Sequence, residues 1–187
     1  MAGCSKRRLF VDIETFSSVD IKAAGAFRYM EAPDFEILLV AYAWDNEPVQ
    51  VLDMVTPVPP EEAQQLVSEL WTAMCDPSIV KVAHNSAFER AAFSRYMARD
   101  MPPEQWEDTM ILAAYNGLPL SLEDSGAALN LPVQKNAEGK RLINYFCKPC
   151  KPTNANGQRT RNLPEHAPDR WARFIDYCRR DVEVCQS

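Results

Sequence analysis

No apolar run in this chain approaches the roughly 20 residues that a bilayer-spanning helix needs, so no membrane partner is expected from its 187 residues. The opening "MAGCSKRRLF" is too short and too polar for a signal peptide. Ala2 keeps glycine away from the position that N-myristoylation requires. There is no excess of positive charge either. Twenty Lys and Arg against 26 Asp and Glu leave a net charge of −6. Bulk electrostatics therefore does not mark a nucleic-acid binder, and such a role has to rest on local patches. Six cysteines without a secretion signal are expected to be free thiols in a reducing compartment. Cys147 and Cys150 form C-x-x-C, but no second pair stands at zinc-ribbon spacing, so they read as loop cysteines. No internal repeat and no domain linker is visible, and the length suits a single domain, residues 1–187, with a proper core.

What is present is an alternation of strand and helix patterns, an α/β chain. Residues 8–14 are a first strand. "ILLVAYAW" at 37–44 is a near-continuous apolar run, as in a strand buried on both faces. "DNEP" at 45–48 is turn chemistry, and 49–53 alternates like a third strand, so the first three strands form a meander. Pro59 and Pro60 precede a helix whose Ala63, Leu66, Val67, Leu70 and Met74 share one face. Residues 79–85 read as a fourth strand. Residues 87–99, 109–116 and 121–129 read as helices, and a last helix runs from about Pro168 to Cys185. Residues 147–169 have no apolar period and are rich in Pro, Asn, Thr and Gly, a long flexible loop. Lys140, Arg141, Lys148, Lys151, Arg159 and Arg161 lie between Glu138 and Glu165 with no acid among them. A solvated surface loop would look like this. In an acidic protein it is also a candidate phosphate-binding arm.

Three acidic patterns carry the chemistry. "LFVDIETF" at 9–16 ends an apolar strand in Asp12 and Glu14. Residues i and i+2 of a strand point to the same face, so the two carboxylates converge. They repel unless a cation sits between them, and paired oxygen ligands suit hard cations such as Mg²⁺ or Mn²⁺. "FIDYCRRDVEVC" at 174–185 is amphipathic, with Trp171, Phe174, Ile175, Cys178, Val182 and Cys185 on its stripe. Tyr177 and Asp181 sit together on the shoulder of that stripe. A third acid is expected there if this helix packs beside the first strand. "VAHNSAFERAAF" at 82–93 puts Asn85 and Glu89 at a strand–helix junction, where Asn85 could cap the helix and Glu89 could favour its dipole.

In this order, D-x-E, N-x3-acid and Y-x3-D resemble the DEDD 3′–5′ exonucleases, in the subgroup with a tyrosine before the last acid. "VDIETFSSVDIKAAGAFRYMEAPDFEILLVAY", "AHNSAFERAAF", "LPLSLEDSGAALNLP" and "PDRWARFIDYCRRDVEV" resemble the start of phage-type family A DNA polymerases. The likeness implies an RNase H-like (DnaQ-like) fold, a central mixed β-sheet flanked by α-helices, and a proofreading exonuclease domain. It implies two divalent cations, Mg²⁺ or Mn²⁺, held by Asp12, Glu14 and Asp181, with Asp12 bridging both ions. Tyr177 and Glu14 would orient the attacking water. Glu89 would act on the second ion through its water shell. Motif II normally carries aspartate, so Glu89 is a departure. Asp108 in "WEDTM" is the rival fourth acid, and Glu89 is placed ahead of it.

The resemblance further implies a single-stranded DNA 3′ end as partner, contacted by Thr15, Phe16, Asn85, Phe88, Lys148, Lys151, Arg159 and Arg161. Phe16 is equally readable as core. A monomer is expected, in the cytoplasm of a bacterial or phage-infected cell, with a polymerase domain of the same or a longer chain beside it. Two other readings stay open at this point: a non-catalytic domain that binds DNA or braces a polymerase, and an RNA-directed exonuclease of the same superfamily.

Overall fold

The computed structural model describes residues 6–56, 60–131 and 138–187, with the side chains of 60–63 excepted. Pro59 and the side chain of Ala63 therefore lie outside the described residues. Five strands form one sheet in the order β3-β2-β1-β4-β5. They are β1 (Arg8–Phe16), β2 (Glu36–Trp44), β3 (Gln50–Asp53), β4 (Val80–Ala83) and β5 (Trp106–Asp108). β1, β2 and β3 pair antiparallel as the expected meander, while β4 and β5 extend the other edge in parallel. Parallel pairing needs crossovers. These are supplied by α2 (Pro60–Cys75) before β4 and α3 (Ser86–Met97) before β5. Then follow α4 (Thr109–Tyr115), α5 (Leu122–Ala128), α6 (Gly139–Phe146) and α7 (Pro168–Gln186).

Three elements have no counterpart in the sequence reading. A helix, α1 (Ile21–Glu31), is inserted between β1 and β2. Gly25 inside it has φ 80° and ψ 164°, which splits it into two short pieces, so no continuous stripe crosses it. β5 has three residues and α6 has eight, too few for a period to stand out.

The pleat of β1 divides the interior in two. Leu9, Val11 and Ile13 point into a core with Tyr29 of α1, Leu70 and Met74 of α2, and Phe93 of α3. Phe10 and Phe16 point the other way, into a core with Leu142 and Phe146 of α6 and with Trp171, Phe174, Cys178 and Val182 of α7. A bulge sharpens the second core. Glu14 pairs with Leu39 and Thr15 with Ile37, so Leu38 is extra, and both Leu38 and Leu39 join the α7 side. At the centre of that core Phe146 stacks on Phe174, centroids 5.4 Å apart, and meets Trp171 edge-on at 4.9 Å. Trp171 Nε1 donates to Asp53 Oδ2 at 2.6 Å and ties α7 to the meander edge.

The segment between α6 and α7 is irregular, as expected, but closed on itself. Cys150 N donates to Thr160 O at 2.8 Å, Thr153 and Asn156 cap each other, and buried Asn162 donates to Tyr145 O at 2.9 Å. Among the described residues no helix is long and apolar enough to cross a membrane.

Phe174 is fully buried between α6 and the sheet. Phe174→Ala should cost about 3–5 kcal/mol of stability, read as a shift in the denaturant midpoint. A loss below about 1 kcal/mol would mean that α7 is not held by this cluster.

Candidate active site

Even-numbered β1 residues face α7, and that parity decides where the acids go. Asp12 and Glu14 share the face with Phe10 and Phe16 and lie between them. α7 crosses this face and buries Tyr177, Cys178 and Asp181 on it. One carboxylate oxygen each from Asp12, Glu14 and Asp181 lie within 4.8 Å of one another. Glu14 and Asp181 are buried and Asp12 is half-buried. The convergence expected from the i, i+2 spacing is therefore present, joined by an acid from the far end of the chain.

Tyr177 is also buried, and its hydroxyl hydrogen-bonds to Asp181. Burial, then the charges of Asp181 and Glu14, push its pKa far above the ordinary tyrosine range. It stays a neutral phenol that can donate. Two thiols touch the acids from behind. Cys147 Sγ donates to Glu14 Oε2 at 3.6 Å, and Cys178 Sγ to Asp12 Oδ2 at 3.9 Å. Burial, and then the neighbouring carboxylates, hold both thiols well above their usual pKa. Cys185 is pushed up to about 12 by burial and Asp12. The five cysteines among the described residues are free, as expected. By sequence pattern Cys147 falls in a loop and Cys178 on an apolar stripe. Nothing in their spacing announces a carboxylate partner.

The fourth acid comes from α3. Asn85 turns the chain from β4 into that helix in the left-handed region, at φ 68° and ψ 50°. Its side chain does not cap the helix. The cap comes from another element. Asp108 accepts from Asn85 N at 3.0 Å, from Ser86 N at 2.8 Å and from Ser86 Oγ at 3.0 Å. The same carboxylate caps α4 by accepting from Met110 N at 2.9 Å and Ile111 N at 3.4 Å. Asp108 is thus committed to two helix starts. Glu89, one turn into α3, is buried, and its Oε2 has no hydrogen-bond partner among the described residues. Burial, then Asp12, then Asp108 and Glu14 raise its pKa well above the carboxylate range. It comes near Asp12 without joining the cluster of three.

The residues assigned to nucleic-acid contact divide into groups. A cavity of about 440 Å³ opens beside the acids, lined among others by Glu14, Thr15, Tyr29, Phe88, Cys147 and Lys148. Thr15 Oγ1 is bonded to Tyr29 Oη at 2.9 Å on its wall. Asn85 and Lys151 are exposed. Phe16 is not at the surface. It is core, and Arg161 lies over its ring at 4.0 Å while pairing with Glu36. Arg159 Nε is bonded to Asn162 Oδ1 at 2.9 Å. Of the basic arm, Lys148 and Lys151 project to solvent, and the two arginines are engaged within the protein.

A mixed sheet flanked by helices, with acids on its central strand, is the RNase H-like fold. The chain is similar to a nuclease in its apo form (TM-score 0.53, 14% identity, 95% of this chain and 67% of that one). It is also similar to Trypanosoma brucei RNase D in complex with RNA U12 (0.51, 18%, 97% and 54%). A third likeness is to the family B DNA polymerase of Pyrobaculum calidifontis (0.51, 14%, 95% and 24%). No protein-family model matches. In sequence the chain is similar to the DNA polymerase of Bacillus phage SP02, 47% identical over 178 residues. The match takes in 95% of this chain and 26% of the polymerase, so the chain spans about a quarter of its relative.

Glu89 and Asp108 separate cleanly in stability. A carboxyl whose folded pKa is raised costs nothing below its unfolded value, near 4.5, and destabilises progressively as pH rises from there toward the folded one. Glu89→Gln should therefore raise the melting temperature of the metal-free protein at neutral pH, and the gain should vanish below pH 4.5. Asp108→Ala should instead lower stability by about 2 kcal/mol at neutral pH, since two caps of about 1 kcal/mol each are lost. Thermal melts of both variants across pH check this. A neutral Asp108→Ala would refute the double cap.

Proposed function

We propose that this chain is the 3′–5′ proofreading exonuclease domain of a family A DNA polymerase. The observation that carries the reading is the meeting of Asp12, Glu14 and Asp181, drawn from opposite ends of the chain, with carboxylate oxygens within 4.8 Å. Three like charges in a partly buried site are costly unless a cation is shared among them. The donor set is all hard oxygen, which suits Mg²⁺ or Mn²⁺ over thiophilic metals. Glu89 Oε2, buried with no hydrogen-bond partner among the described residues, supports a second cation nearby.

Asp12, Glu14 and Asp181 would hold one ion, and Asp12 and Glu89 would serve a second. Two such ions supply charge that stabilises the attacking and leaving oxygens of an in-line displacement. The remaining work falls to the protein. Tyr177 and Glu14 orient the attacking water toward the terminal phosphodiester, and a nucleoside monophosphate leaves from the 3′ end. The cavity beside Glu14 receives the terminal nucleotide, with Phe88 offered for stacking and Lys148 for phosphate. Kinship with a phage DNA polymerase favours DNA over RNA as substrate.

The test is degradation of a 5′-labelled single-stranded DNA oligonucleotide with Mg²⁺ or Mn²⁺. The wild type should shorten it stepwise from the 3′ end, and an RNA of the same sequence should be cut more slowly. Asp12→Ala should reduce the rate by about 1,000-fold or more, several kcal/mol of transition-state stabilisation, in a folded protein. Full activity of that variant would falsify the metal-site reading. A wild type that binds the oligonucleotide without cutting would leave the bracing role.

Lys148 and Lys151 carry a second expectation. Replacing both with Ala should weaken oligonucleotide binding and flatten its log–log salt dependence by roughly 0.7 per lost phosphate contact. An unchanged slope would mean that the arm does not touch the phosphates.

A further inference from the structure

Tyr177 is buried against a residue with no side chain. Gly139 opens α6, and a Cβ built on it would stand 2.1 Å from Tyr177 Cε2, 2.6 Å from Cδ2 and 2.8 Å from Cζ. Real Cβ atoms do not come that close. The glycine has no turn to make here. Its role is to let the α6 backbone lie against the edge of the phenol that runs up to the hydroxyl. Phe174 packs beside the ring, parallel within 8° at 6.3 Å. The start of α6 has little room to retreat. Glu138 pairs with Arg173 of α7 at 3.4 Å, and Leu142 and Phe146, further along α6, are buried in the core beneath. Extra bulk at 139 is therefore taken up by the tyrosine, whose hydroxyl bonds to Asp181.

We propose that Gly139 is a positioning residue for the exonuclease reaction: the bare backbone at the start of α6 is the stop that holds the Tyr177 phenol edge in place and keeps its hydroxyl on Asp181. The inference rests on the reading of Tyr177 as the residue that orients the attacking water. It also makes a claim about the protein before any metal or DNA is bound.

Gly139→Ala tests both. In protein labelled with 3-fluorotyrosine, with the Tyr177 signal assigned through Tyr177→Phe, the metal-free Gly139→Ala variant should show a displaced Tyr177 fluorine resonance. An unmoved resonance overturns the proposal. In single-turnover cleavage of a single-stranded DNA oligonucleotide with Mn²⁺, Gly139→Ala should slow the chemical step by about 100-fold, the scale of a misplacement of about 1 Å. Oligonucleotide affinity should stay within about 3-fold of wild type. In a Tyr177→Phe background the same substitution should add almost nothing, because the hydroxyl it displaces is already gone. Losses that multiply in the double variant mean a general structural defect and overturn the proposal.

Should Gly139→Ala fold poorly, the Tyr177→Ala background decides. There the methyl meets no ring, and alanine is the better helix residue. Stability should then equal or exceed that of Tyr177→Ala alone, and an equal loss in both backgrounds overturns the proposal. The fluorine spectra and the stability cycle need no nuclease activity. Failure of the exonuclease reading and failure of the Gly139 reading are therefore separately visible.

Discussion

The site depends on one packing event, the seating of α7 on the even-numbered face of β1. The apolar stripe of α7 supplies the driving force. Trp171, Phe174, Cys178 and Val182 are buried against Phe10, Leu39, Ala41 and Val82 of the sheet and against Phe146 of α6. Each large side chain so buried contributes about 1.5–3 kcal/mol. That gain offsets what the same contact forces, the approach of Asp181 to Asp12 and Glu14. Without the aromatic cluster the three carboxylates would separate into water. With it they are held together, and the like-charge cost is stored in the folded metal-free protein. Under the proposed function this is a preorganised cation site, with ligand repulsion already met by core packing.

A second constraint works at the β4–α3 junction. Asp108 at the end of β5 caps α3 and α4 together. Its oxygens are committed to backbone N–H groups, so it has little capacity left for a cation. Glu89 is the opposite case, a buried acid with an oxygen left over and facing the charge of Asp12. Two acids that look equally eligible in sequence are separated by their hydrogen bonds. The longer glutamate side chain suits an approach that stops outside the cluster of three.

The thiols add a local refinement. Cys147 and Cys178 sit behind Glu14 and Asp12 as weak donors. Burial and the adjacent carboxylates keep them protonated, so they orient the acids without adding negative charge. Cys147 is reached only because α6 ends where it does, beside the bulge that follows Glu14. The start of the same short helix brings Gly139 against Tyr177. α6 therefore touches the site at both of its ends.

Local pattern was enough for the long elements. The strand at 8–14, the unbroken apolar run at 37–44 and the stripe from about 168 to 185 survive in the structure as Arg8–Phe16, Glu36–Trp44 and Pro168–Gln186, because each holds one pattern over many residues. From the β period it also followed that Asp12 and Glu14 share a face, and from the helical period that Tyr177 and Asp181 lie together. The kinked α1, the three-residue β5 and the eight-residue α6 were not legible, since a short or broken element leaves no period to read. Nor was it legible that Arg161 covers Phe16 and pairs with Glu36, or that Asp108 serves two helices. Those contacts join residues far apart in the chain, and spacing along a chain carries no information about them. The sequence by itself determined which side chains share a face of one element. Only the tertiary structure decided which faces meet, because that choice is made by packing two cores around one twisted sheet.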